Sequence, residues 1–199
     1  MSTMSRTLTR WLAGAVCCLP LLAGCGKSAP THFYSLNTAP TPPSGTAPAG
    51  PCLSLGIGPV DFPGYLDRSQ VVTRIGQNQM HVADFEQWIE SPHDNFQRTL
   101  ATNLSSLVCA KPLVTYPWPV GGHPERQVVI QVAQFDGILG QEAVLRVSWS
   151  VLDGEAKQLT WRATDYREPV AGPDYPSLAA AQSRLVEKFA KDVADSLRD

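Results

Sequence analysis

Cysteine is the residue type in this chain with the clearest chemistry, and its five copies sort by position. Cys25 ends the tetrapeptide Leu22-Ala23-Gly24-Cys25: an apolar residue, two small residues and a thiol. That is the pattern bacterial signal peptidases recognise when they make a lipoprotein. The residues upstream agree with it. Arg6 and Arg10 form a positive n-region, and Trp11 to Leu22 is an apolar run too short to span a bilayer comfortably. Cleavage between Gly24 and Cys25 would remove residues 1–24 and leave Cys25 as an acylated N-terminus. A diacylglyceryl anchor with a further acyl chain such as palmitate buries many CH₂ groups, so attachment would be stable. Gly26 stands where an Asp would tend to retain a lipoprotein in the inner membrane, which leans toward the outer membrane and its periplasmic face. Cys17 and Cys18 leave with the signal, and Cys52 and Cys109 remain as an even pair in an oxidising compartment. A disulfide and two buried free thiols both fit that pair, since geometry decides between them.

The other reactive side chains are scattered. His32, His81, His93 and His123 lack the spacing to another His, Cys or carboxylate that metal ligands need. A G-x-S-x-G elbow is absent, and Gly56-Ile57-Gly58 has Asp61 where a dinucleotide loop needs its third glycine. The chain therefore reads as a non-enzyme with no metal and no cofactor beyond the covalent lipid on Cys25. The full chain has 16 basic and 18 acidic residues. Loss of Arg6 and Arg10 with the signal leaves 14 basic residues and a formal charge of −4. There is no basic excess to attract nucleic acid or anionic headgroups.

Residues 25–31 read as a lipidated tether and 32–199 as one domain. His32 to Leu36 predicts a short edge strand, and Thr38 to Pro51, made of Thr, Ala, Pro, Ser and Gly, predicts an exposed loop. Leu53 to Val60 predicts a strand with Leu53, Leu55, Ile57 and Pro59 on one face. Gly56 and Gly58 fall on the other face, where another group can approach closely. Val71 to Arg74, a turn at Gly76-Gln77-Asn78 and Gln79 to Val82 predict a hairpin. Ser91 as N-cap, Pro92 and Asp94 open a helix whose stripe is Phe96, Leu100, Leu104, Leu107 and Val108.

Three strands in a meander follow. In the first, Val128, Ile130 and Val132 oppose Val129, Ala133 and Phe135, and apolar residues on both faces imply a central strand. Asp136-Gly137 and Asp153-Gly154 mark the turns. A last helix begins near Asp174 with Leu178, Leu185, Phe189, Val193 and Leu197 in line. The fold class is α/β: a single domain with a mixed, mostly antiparallel sheet packed with two long α-helices.

One stretch stands apart. Tyr65-Leu66-Asp67-Arg68 follows a Pro63-Gly64 turn and leads into Val71-Val72-Thr73-Arg74, with Trp88 just before the first helix. Structure explains these residues as a core edge and a solvated ion pair; partner binding explains them as interface types, Tyr, Trp and Arg above all. Together with the lipobox, Tyr34-Ser35-Leu36, Gly58-Pro59-Val60, the three-strand block and the alanine-rich start of the last helix, they resemble the PqiC/YmbA family of ABC-type transport auxiliary lipoproteins. The resemblance covers nearly the whole mature chain; the loop at 38–51 departs from it. It implies work in lipid traffic that maintains the envelope. The partners would be an MCE-domain tunnel protein and an inner-membrane transport component, and self-association is open. Tyr65, Leu66, Asp67, Arg68 and Trp88 are the candidate partner-binding residues. The competing readings are a periplasmic lipid-binding carrier and a periplasmic hydrolase.

Overall fold

The computed structural model describes residues 29–39, 52–119 and 123–198. The lipobox and all but the first two residues of the loop at 38–51 lie outside them. Packing separates Met1–Pro30 from Thr31–Asp199, and the second unit is described below.

Eight strands and two helices follow one another as β1 (His32–Tyr34), β2 (Leu53–Asp61), β3 (Gln70–Arg74), β4 (Met80–Trp88), α1 (Pro92–Leu107), β5 (Ala110–Thr115), β6 (Arg126–Gly137), β7 (Glu142–Asp153), β8 (Gln158–Pro169) and α2 (Tyr175–Ser196). They form two sheets rather than one, with orders β1-β4-β3 and β5-β2-β6-β7-β8. Both sheets are mixed, as expected, with a larger parallel share than a mostly antiparallel sheet would have. β1 with β4, and β2 with both β5 and β6, run parallel. β3–β4, β6–β7 and β7–β8 are antiparallel. The parallel pairs follow from crossovers: α1 carries the chain from the small sheet back to the large one, where β5 lands beside β2. Apolar alternation reports which face of a strand is buried, not which strand lies next to it. β5 itself has no clear alternation and carries Pro112, which an edge strand tolerates.

Local corrections have local causes. The β2 register shifts between Ile57 and Val60, so Val60 joins Leu55 and Ile57 in the core and Pro59 is exposed. A Cβ at Gly56 would lie 2.6 Å from both Pro124 and Trp118, the close approach its side of the strand foretold. β4 continues to Trp88, so Phe85 to Trp88 are strand and not a lead-in to the helix. Ser91 is the N-cap of α1 by position, but its hydroxyl donates to Asp67 and not to the helix. β6 is central, yet a shift between Val132 and Gln134 turns Phe135 onto the buried face with Val128, Ile130 and Val132. Asp136-Gly137 ends β6 as strand, and the turn lies beyond it, through Gly140 at φ +70°. At the next turn Asp153 Oδ1 accepts from the amides of Glu155 and Lys157, which holds the predicted loop.

α1 has 16 residues and α2 has 22. α1 packs on β2 and β5, α2 on β6, β7 and β8, and the two helices pack on each other. Aromatic rings fill the space between helices and sheet: Phe96–Phe135 at 5.4 Å, Phe96–Phe189 at 6.1 Å and Trp149–Phe189 at 5.2 Å between centroids. The buried side of α1 is wider than its apolar stripe, because Asn95, Thr99 and Asn103 are also buried. α2 is capped by Asp174, whose carboxylate accepts from Ser177 N at 2.8 Å. Cys52 and Cys109 are joined in a disulfide across 57 residues, tying the start of β2 to the segment after α1.

Phe189 touches three other rings and is fully buried. Phe189→Ala should therefore cost about 3–5 kcal/mol in urea unfolding. The pH dependence has a defined sign at Glu168. Burial pushes its carboxyl up, but hydrogen bonds from Arg184 and Lys188 prevail and hold it below its ordinary 4.5. A depressed folded value gives stability that is fully present above the ordinary 4.5 and is lost as pH falls below it through the lower folded value. Glu168→Gln should lower Tm at pH 7, and the gap to the parent should close in acid, as read by thermal melts from pH 7 to 3.

Candidate functional site

The residues of the Tyr65–Arg74 stretch are gathered by a group the sequence hid. Arg74 closes β3 after Val71, Val72 and Thr73, all buried. A cation at the end of so apolar a run needs a carboxylate. It finds Asp136 on β6: Nη2 donates to Oδ2 at 3.0 Å and Nε to Oδ1 at 3.3 Å. The Tyr65 hydroxyl donates to the same carboxylate at 2.8 Å, and Gln134 Nε2 donates at 2.8 Å. The Asp136 side chain is 1 % exposed and that of Arg74 is 28 %. Arg74 Nη1 also donates to Gln77 O at 3.0 Å, bracing the β3–β4 turn.

This is charge-assisted bonding in a shielded place, where each bond is strong and an unpaired member would be costly. The electrostatics agree. Burial, then the bond to Asp136, pushes the Tyr65 phenol well up, and the Asp136 bond pushes the Arg74 guanidinium up. Both groups keep their protons at any physiological pH. Arg146, paired with Asp165 at 3.0 Å, closes the far side of a depression of about 470 Å³ above Tyr65, Arg74 and Met80.

The other candidate residues divide. Leu66 and Trp88 are in the core, Leu66 at the loop and Trp88 at the end of β4, where its amide donates to Ser69 O at 2.7 Å. They pack the small sheet onto β6 and are not free for a partner. Asp67 is exposed and accepts from Ser91 Oγ at 3.1 Å, which fixes the entry to α1. Asp67 and Arg68 are therefore not each other's partner in this structure. Arg68 is exposed, with its amide bonded to Leu66 O. Of the motif, Arg68 and the outer side of Tyr65, 38 % exposed, present surface. Asp136 and Gln134 are the residues that sequence reasoning missed. Asp before Gly after a strand reads as a turn; the signal that could have found it was Arg74 itself, a cation lacking a local partner.

Among the described residues no group of three or more His, Cys, Asp and Glu could hold a metal ion. His32 lies against Glu86 at 3.1 Å, and His93 Nε2 donates to Val60 O at 3.1 Å. No described helix is long and apolar enough to cross a membrane. Cys25 and Gly24 lie outside the described residues.

Two mixed sheets with two helices on the larger one define an α/β fold that solved structures share. An uncharacterized protein matches with a TM-score of 0.67 at 17 % identity, over 85 % of this chain and 99 % of that one. XCC0632 from Xanthomonas campestris matches with a TM-score of 0.68 at 14 % identity, over 82 % of this chain and 92 % of that one. No curated protein sequence matches. Residues 34–194 match the family described as ABC-type transport auxiliary lipoprotein component, and the chain belongs to that family. Membrane anchoring and association with a transporter are the properties that family description carries.

Asp136→Asn should cost about 3–5 kcal/mol in chemical denaturation, because it leaves Arg74 without its counter-charge. Tyr65→Phe removes one bond to a charged acceptor and should cost about 1.5–3 kcal/mol. Coupled through one carboxylate, Tyr65→Phe and Arg74→Gln should be non-additive in a double-mutant cycle.

Proposed function

We propose that this protein is a non-enzymatic auxiliary lipoprotein of an MCE-type lipid transport system. It is held by acylated Cys25 on the periplasmic face of the outer membrane. There it docks the end of a tunnel protein that reaches from an inner-membrane transport component. The observation that carries this reading is the family match over residues 34–194 on a chain that begins with a lipobox at Leu22–Cys25. The rigid setting of the motif supports it: Asp136 and Ser91 hold the loop at 65–68 so that Arg68 stands at the surface of a braced turn. Arg on a preorganised loop binds with little ordering cost. In this reading Tyr65 and Asp67 position the loop and Arg68 makes the contact.

The carrier reading has less support. The void between Leu66, Val72, Trp88 and Phe135 is about 10 Å³, room for one water and not for an acyl chain, and the depressions of about 470 Å³ at Arg74 and about 420 Å³ at Arg98 are open and lined mostly by polar and charged side chains.

The test is crosslinking in intact cells, with full-length tagged protein pulled down and its partners identified. An MCE-domain protein should be recovered, and Arg68→Glu should lower its yield about tenfold while Tm stays unchanged, a loss of the size an interface arginine carries. Recovery of no envelope transport protein by folded, acylated protein would overturn the reading.

A further inference from the structure

Three large apolar side chains stand in solvent at one end of the small sheet. Phe33 on β1 is 57 % exposed, Phe85 on β4 is 44 % and Ile89, just past β4, is 62 %. Phe33 is level with Gln87 across the parallel β1–β4 pair, and Phe85 and Ile89 lie two residues to either side of Gln87. The other face of this pair is committed. The Tyr34 hydroxyl donates to Glu86, His32 lies against Glu86, Tyr34 stacks on Tyr175 and Trp88 is buried. Strand alternation therefore directs Phe33 away from the core. Single exposed apolar residues are ordinary on protein surfaces, but three at one strand end form a patch that marks contact.

We propose that this patch seats in the surface of the bilayer that holds Cys25, and so fixes how the domain stands on the membrane. The inference rests on acylation of Cys25. Phe33 follows Cys25 by only eight residues, and a fully extended chain of that length spans at most about 29 Å. β1 is thus the first folded element after the anchor, and its end of the domain is held close to the lipid. Apolar side chains carried there enter the headgroup–acyl boundary to a depth of about 5–10 Å. Beside the patch Glu86 is bonded to Tyr34 and His32, Glu90 pairs with Arg98, and Asp67, Arg68 and Asp84 are exposed. These exposed charges carry no basic excess to draw the patch to anionic lipid, so the attraction is chiefly apolar. A second copy of the chain or a protein partner could also cover the patch; the short tether favours the bilayer, because every acylated chain brings it there.

The test uses the acylated mature protein in phosphatidylcholine vesicles with lipids brominated on their acyl chains. A cysteine labelled with a bimane fluorophore replaces Phe85 in one variant, Ile89 in a second, and Ile75, exposed at the far end of the β3–β4 hairpin, in a third; Cys25 is acylated and Cys52 and Cys109 are bridged, so only the introduced thiol is labelled. Emission from position 85 or 89 should fall at least about twofold at low and high salt, and emission from position 75 should hold, since only the seated end reaches the acyl chains. Flotation with the vesicles reports the anchor separately. Protein that fails to float would remove the anchor and the proposal together. Protein that floats with positions 85 and 89 unquenched would overturn the seating alone. A Phe33→Ser, Phe85→Ser variant whose oligomeric state shifts in sedimentation, with positions 85 and 89 unquenched, would assign the patch to a second copy and overturn it as well.

Discussion

A buried carboxylate holds this domain in one arrangement. Asp136, next to last in β6, accepts from Tyr65, Arg74 and Gln134 while almost wholly shielded from water. The small sheet packs on the large one through Leu66, Val71, Val72 and Trp88, and apolar contact alone has no preferred register. The carboxylate supplies direction. Its donors come from the loop before β3 and from the end of β3, so satisfying them fixes both against β6. A slip of one residue would leave a buried charge unpaired.

Departures from regular strand geometry serve the same packing. The shift in β2 brings Val60 inward after Ile57, and the shift in β6 brings Phe135 onto the face where Phe96 and Phe62 meet it. The shift in β6 also precedes Asp136, the residue that must face the small sheet. Bulges re-aim side chains at the cost of local regularity. Here that re-aiming serves the aromatic core and the carboxylate together. The disulfide from Cys52 to Cys109 adds a covalent tie where β2 and the segment after α1 would otherwise rely on β2–β5 pairing at a sheet edge.

The domain thus uses much of its charged chemistry to hold itself together. The family is one of transport auxiliaries, and the residues that resemble it most, Tyr65 to Arg68 and Val71 to Arg74, are mainly internal supports. What they support is a braced turn bearing Arg68. At the same end of the hairpin, where the Trp88 amide donates to Ser69 O, β1 and the end of β4 bear the exposed Phe33, Phe85 and Ile89.

Much of the fold was legible in the residues. The two helices, the β3–β4 hairpin and the β6–β7–β8 meander follow from apolar period and turn chemistry, which act within a few residues. Cap and turn residues, Asp174 and Asp153 among them, do their work locally, and the glycine at position 56 marked a close approach before its neighbours were known. The tertiary structure decided the rest. It set strand partners and their direction, the two shifts that reversed Pro59 and Phe135, and the burial of Leu66 and Trp88. It also drew Asp136 out of an apparent turn to meet Arg74 across 62 residues. Local pattern encodes which side of an element is apolar. A partner far along the chain is chosen by the free energy of the whole packed core, which no short window of sequence contains.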